Sequence, residues 1–141
     1  MSIRQAIPGD WKAIAGLLDQ LEYPGSEHFL AGRIRQMIDD PRERLLVYEQ
    51  GDRIIGFISL HFIPQIALEG DFARISYFAV DATVRSGGIG RQMEEYCTRL
   101  AKERGCHLIE VHCHTRRARA HEFYYRQGYE ESPKYLIKRL K

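Results

Sequence analysis

A chain of 141 residues, 44% hydrophobic and 28% charged, has the length of one domain and the composition of an ordinary soluble fold. Its net charge of +2 is too small to indicate a nucleic-acid partner without clustering, and Arg116-Arg117-x-Arg119 is the one tight basic cluster of that kind. No apolar run approaches a membrane span and Met1–Ile7 lacks a signal-peptide core, so the expectation is a cytoplasmic chain with neither nucleic acid nor membrane as partner.

In chain order, Ile3 to Ile7 alternates as a short strand and meets the turn Pro8-Gly9-Asp10. Asp10 is a good helix N-cap, and Ile14, Leu17, Leu18 and Leu21 follow at helical spacing. Tyr23-Pro24-Gly25-Ser26 breaks that helix, and Phe29, Leu30, Ile34, Met37 and Ile38 mark a second one that stops near Pro41. Residues 45–49 and 54–60 read as two strands around the turn Gly51-Asp52-Arg53, with Pro64 ending the second. A loop over 65–71 leads into a strand from Phe72 to Val80.

The run Val80-Asp81-Ala82-Thr83-Val84-Arg85-Ser86-Gly87-Gly88-Ile89-Gly90-Arg91 joins that strand to a helix carrying Met93, Tyr96, Cys97, Leu100 and Ala101 and ending at Gly105. A strand, a glycine turn opened by Arg85 and a helix start aim backbone N–H groups at an anion, with the helix dipole favouring negative charge there. Phosphate binding follows as the first functional expectation. The dinucleotide fingerprint fails because Met93 stands where a small residue belongs, and the mononucleotide loop lacks its Lys-Ser/Thr. Further on, Leu108 to Val111 reads as a buried strand, Ala118 to Tyr124 as a helix stopping at Gly128, and residues 128–130 and 134–138 as two last strands around Pro133.

Arg-x-x-Gly-x-Gly over Arg85 to Gly90, after a strand ending Ala79-Val80, resembles the acetyl-CoA pyrophosphate loop of the GCN5-related N-acetyltransferases. Ala120-His121-Glu122-Phe123-Tyr124 with Gly128-Tyr129 resembles the second signature of that superfamily. Within it, Gly56 to His61 and Ala120 to Ser132 are similar to segments of aminoalkylphosphonate N-acetyltransferases. The resemblance implies a single α/β domain over 1–141, with a mixed, mostly antiparallel central sheet and about four flanking helices. It implies acetyl-CoA as cosubstrate and a small primary amine as acceptor, attacking the thioester directly in a ternary complex. A homodimer is among the states the family adopts, though no interface is legible in the sequence.

Carried over residue by residue, the resemblance sets the backbone of Phe78, Ala79 and Val80 along the pantetheine arm, with a Val80 or neighbouring N–H toward the thioester oxygen. It sets Arg85, Ser86, Gly87, Gly88, Ile89, Gly90 and Arg91 around the pyrophosphate, and leaves Arg117 as a candidate contact to the 3′-phosphate or a solvated helix start. Tyr124 matches the tyrosine that protonates the departing thiolate; its alternative is packing on a helix face. Neighbouring Tyr125 is expected to be structural. Relatives often carry Glu at positions 76 and 77, where it activates the amine; here stand Ser76 and Tyr77. Arg117 replaces a usual Asn, and Ser86 a usual Gly. An alkylammonium of pKa about 10.4 is deprotonated only about one part in 10³ at neutral pH, equivalent to roughly 4–5 kcal/mol, so some group must take its proton. His61, Glu69 and Asp71 are the nearest candidates, His61 first because the close resemblance includes it.

His112-Cys113-His114 puts two imidazoles on one strand face, yet the spacing fits no structural zinc pattern, and no metal is expected. Cys97, Cys106 and Cys113 cannot all pair and show no CxxC spacing, as suits a reducing compartment. An aminoglycoside, polyamine, amino acid or protein amine remains open as the acceptor, and from another class a non-catalytic CoA-binding sensor. Acceptor charge would be met by Arg33, Arg35 or Arg74 if the amine also bears an anionic group.

Overall fold

The computed structural model describes residues 2–112, 117–132 and 135–141, and for Ser2, Arg85 and Ser86 the backbone alone. The strands β1 (Ser2–Gln5), β2 (Glu43–Gln50), β3 (Arg53–Ile63), β4 (Phe72–Val80) and β5 (Leu108–Val111) form one sheet in that spatial order. The first four pair antiparallel, and β5 joins β4 in parallel. The helices α1 (Trp11–Gln20) and α2 (Leu30–Ile38) cover one face, α3 (Ile89–Glu103) covers the other, and α4 (Ala118–Arg126) follows β5.

Strand alternation divides the apolar residues between two cores. Leu45, Val47, Phe57 and Ala79 face Ile14, Leu17 and Ile34 of α1 and α2. Leu46, Ile58, Leu60 and Ile75 face Met93, Cys97 and Ala101 of α3. Ile14, Ile34, Ile58 and Leu60 are fully buried, each stabilising by roughly 1.5–3 kcal/mol.

Two bulges interrupt the ladders. Between β2 and β3, Ile55 is the extra residue, and between β3 and β4 it is Ser76, because Ser59 pairs with Tyr77 while Leu60 pairs with Ile75. The second bulge breaks alternation, leaving Ser76 and Tyr77 exposed side by side.

Three helices close alike, with the residue after the C-cap in the left-handed region and two backward hydrogen bonds. At α3 these are Gly105 (φ 78), Gly105 N–H to Lys102 O and Cys106 N–H to Ala101 O. At α1 Glu22 takes the strained role at φ 70, and at α4 Gly128 takes it at φ 96. The last case corrects the expected strand over 128–130. Gly128 and Tyr129 give their N–H groups to Tyr125 O and Tyr124 O, closing the helix instead of entering a ladder. Residues 135–141 also carry no strand, and Lys134 of that expected strand lies, with Pro133, outside the described residues.

Two further expectations change. β1 ends at Gln5, since Pro8 to Asp10 forms a 3-10 turn. Asp10 precedes α1 but makes no cap to it; its carboxylate turns back to accept from Ile7 N–H (2.9 Å) and from both terminal nitrogens of Arg4 (2.9 and 3.1 Å).

Candidate active site

The ladder between β4 and β5 ends at Ile75–Val111, so residues 76–80 run past the last paired residue of β5. The chain then turns through a 3-10 segment, Ala82–Gly87, whose start is tied down by Asp81. That carboxylate accepts from Thr83 N–H at 2.9 Å and Thr83 Oγ1–H at 2.8 Å, and the Thr83 N–H holds its pKa below the ordinary value. Ala82 N–H donates to Gln20 Oε1 at 2.9 Å, linking the turn to α1.

Gly88 (φ 76) opens α3 with no side-chain cap and no acidic residue in the first turn. The first N–H groups of that helix therefore lack partners within it, an electropositive end beside the β4 terminus. A Cβ on Gly90 would stand 3.4 Å from Phe123 Cε1 and 3.9 Å from Phe78 Cζ, so the missing side chain lets the helix start approach α4 and β4. Arg91 is engaged on its own helix with Glu95 at 2.9 Å. Arg85 and Ser86 lie in the 3-10 turn, their side chains outside the described residues; Arg117 is the half-buried residue before α4.

From α4, Phe123 packs edge-on against Phe78 at 5.8 Å, and Tyr124 tilts against it at 6.5 Å. Tyr124 is nearly buried, at 9% exposure, with Tyr129 at 5.3 Å on its other side. The Tyr129 hydroxyl donates to Glu94 Oε2 at 2.9 Å, where Thr98 Oγ1–H also donates at 2.8 Å; burial, then the Glu94 charge, pushes the phenol pKa up. Tyr125, expected to be structural, is half exposed, with the His121 ring edge-on at 6.5 Å. A cavity of about 740 Å³ between α3 and the end of α4 is lined by Arg91, Glu94, Glu95, Thr98, Arg126 and Gln127. It includes no residue of β4.

The opposite face of β4 carries a different set. Glu43 on β2 stands directly across from His61 on β3, and His61 across from Arg74 on β4. His61 Nδ1 lies 2.6 Å from Glu43 Oε1, and its Nε2 lies 2.5 Å from Ser76 Oγ. A carboxylate only accepts, so in the neutral ring the proton sits on Nδ1 and Ser76 donates to Nε2. Ser76 reaches the ring because it is the bulge residue. Beside it Tyr77 meets Tyr23 edge-on at 5.2 Å, bringing the segment after α1 over this face.

His61 is thus the only one of the three sequence candidates for a base that the structure sets against position 76. Asp71 is taken by Arg104 at 3.3 Å, and Glu69 is exposed in the loop before β4. Arg74 binds Glu110 through Nε and Nη2 at 2.6 and 2.5 Å, so its charge is already met, while Arg33 and Arg35 are exposed on α2. Sequence reasoning missed Glu43 altogether and noted Ser76 only as a departure. Among the described residues no group of three or more His, Cys, Asp or Glu is placed to hold a metal; His112 stacks on Tyr135 at 4.2 Å, and Cys113 and His114 lie outside the described residues.

A five-stranded sheet with its last strand parallel, a glycine turn and helix start after β4, and helices on both faces defines a mixed α/β class. The profile of the acetyltransferase (GNAT) family matches residues 11–129, and the chain belongs to that family. Its activity class is N-acetyl transfer. The aminoalkylphosphonate N-acetyltransferase of Salmonella typhimurium is 26% identical over 135 residues, covering 92% of this chain and 85% of that protein. A transcriptional regulator from Bacillus halodurans C-125 superposes with a TM-score of 0.89 at 28% identity, covering 99% of each chain. A GNAT family acetyltransferase from Staphylococcus aureus superposes at 0.82 with 22% identity over 99% of this chain and 100% of that one, a likeness of fold. No helix among the described residues is long and apolar enough to cross a membrane.

Proposed function

We propose that this chain transfers the acetyl group of acetyl-CoA to a small primary amine by direct attack within a ternary complex. The observation that carries this reading is that residues 76–80 of β4 run on past the last β5 pair, Ile75–Val111, and lead into the Gly88 helix start. Residues 78–80 offer backbone to a pantetheine arm as an added strand would, and the N–H groups of residues 87–91 offer donors to a pyrophosphate. A backbone N–H at the end of β4 polarises the thioester carbonyl. Tyr124, against Phe78, returns a proton to the thiolate. His61, on the opposite face, is where the amine's proton ends.

The acceptor is a short amine, and the 26% relative makes an aminoalkylphosphonate the first to test. The Arg74–Glu110 pair weighs against Arg74 as partner for a phosphonate, leaving Arg33 and Arg35. The decisive experiment follows thiol release from acetyl-CoA with aminoethylphosphonate, ethanolamine and a polyamine, alongside calorimetric binding of CoA. Amine-dependent thiol release is expected, with kcat/KM ranking the acceptors. CoA binding without release toward any amine would convert the reading to a non-catalytic sensor. No CoA binding would remove the cofactor assignment itself.

A further inference from the structure

Resting on that reading, we infer that Ser76 is the group that touches the attacking amine, as the outer end of a proton chain running Ser76–His61–Glu43. Both ring nitrogens of His61 are already engaged, Nδ1 with Glu43 and Nε2 with Ser76. An amine cannot reach either nitrogen without displacing one of these partners. The His61 and Glu43 side chains are 23% and 18% exposed, whereas Ser76 is exposed on the β4 bulge. Ser76 donates its one hydrogen to Nε2, so its oxygen lone pairs remain to accept an ammonium N–H.

Distance along the strand suits the task. Two residues of β4 separate Ser76 from Phe78, about 6–7 Å at the strand rise. The same strand thus carries both the amine's contact and, two residues on, the backbone along which the thioester is laid. The step balances. The alkylammonium first gives one proton to Ser76 Oγ while the Ser76 proton passes to His61 Nε2, and the lone pair so freed bonds to the carbonyl carbon. A second nitrogen proton leaves the tetrahedral adduct as it collapses, offsetting the one that Tyr124 gives the thiolate. The imidazolium that forms faces the Glu43 carboxylate and later releases the proton to solvent. The thiolate leaves with the electron pair of the broken C–S bond. The other charged neighbour across the ladder, Arg74, is matched by Glu110, so Glu43 is the carboxylate that meets the imidazolium. Ser76 is a catalytic residue in this scheme, and Glu43 a positioning residue that holds the ring with its proton on Nδ1.

The test compares wild type, Ser76→Ala, Ser76→Thr, His61→Gln and Glu43→Gln on an alkylamine and on hydroxylamine, which is largely neutral at neutral pH. With the alkylamine, Ser76→Ala and His61→Gln are expected to lose about 10²-fold in kcat, with the KM for acetyl-CoA held. Glu43→Gln should lose less in the same direction, and Ser76→Thr, which keeps the hydroxyl, should recover most of the activity. With hydroxylamine all losses should shrink, because little proton removal is needed; a merely structural role would lower both substrates alike. Equal losses on the two acceptors, or an unchanged Ser76→Ala enzyme, would overturn the chain while leaving acetyl transfer standing. An acetyl group found on Ser76 after incubation with acetyl-CoA alone would overturn it in favour of a covalent nucleophile. A wild type inert toward every amine would end the proposed function and the chain together.

Discussion

The phenol of Tyr124 stands in an aromatic row with Phe78 at 6.5 Å, Phe123 at 5.3 Å and Tyr129 at 5.3 Å. Packing alone accounts for a ring there, so the hydroxyl is what distinguishes chemistry from structure. Tyr124→Phe keeps every ring contact and removes only the proton donor. General acid catalysis spans about 10²–10⁴-fold, and a thiol of pKa about 8.5 leaves fairly well unaided, which favours the low end. The expected outcome is a fall in kcat of about 10²-fold or less, with acetyl-CoA affinity by calorimetry held. Equal turnover at saturating substrates would return Tyr124 to the packing residues. The sequence motif by itself makes Tyr124 the candidate. Glu43 was not legible, because counting back from the Gly51-Asp52 turn, where Gln50 pairs with Arg53, sets Glu43 opposite Leu60. The bulge at Ile55 shifts the register by one residue and brings it opposite His61.

At the scale of elements, the parallel β4–β5 pair is held at its start by a contact that no local propensity announces. Gly70, just before β4, lies against the turn between α3 and β5. A Cβ there would enter the van der Waals shell of the Gly105 carbonyl oxygen and stand 2.7 Å from His107 Cδ2. Beside it His107 N–H donates to Asp71 O at 3.0 Å, and Arg104 pairs with Asp71 at 3.3 Å. Gly70→Ala should therefore force the two segments apart and cost about 1–3 kcal/mol of stability. Urea unfolding measures this, and an unchanged midpoint would show that the turn moves aside freely. Helix and strand positions up to β5 were legible from periodicity and turn residues. The end of α4 was not: Gly128-Tyr129 reads equally as a helix stop or a strand start, and only the cap bonds to Tyr124 and Tyr125 decide it.

At the scale of the whole molecule, the α3 core sets a limit on alkaline stability. Cys97 is fully buried, and burial, then the Glu94 charge, pushes its thiol from the ordinary 9.0 up to about 12. Tyr129 is pushed up for the same reasons. Above the ordinary value the unfolded chain loses the Cys97 proton while the folded chain keeps it. The unfolded state thus binds fewer protons, and stability falls as pH rises through that window. Urea midpoints taken from about pH 8 to about pH 11 should decline, and Cys97→Ala, though weaker at neutral pH through its cavity, should decline less steeply. A flat profile in wild type would show that the thiol ionises in place.

Sequence alone determined the α/β class, the strand–glycine turn–helix order around Gly88, and the Phe123–Tyr124 signature, since each rests on contiguous residues and local backbone chemistry. It also exposed a gap, Ser76 and Tyr77 where relatives carry a carboxylate, without filling it. Tertiary structure alone decided the rest. Glu43, His61 and Ser76 are separated by long stretches of chain and meet through strand register, and the register depends on two bulges. A bulge is one residue of extra length, invisible to a hydrophobic pattern of period two, yet it shifts which side chains share a face and which stand opposite. The meeting of Glu43, His61 and Ser76 was written in those two residues' worth of slack, and only the folded sheet shows where they fall.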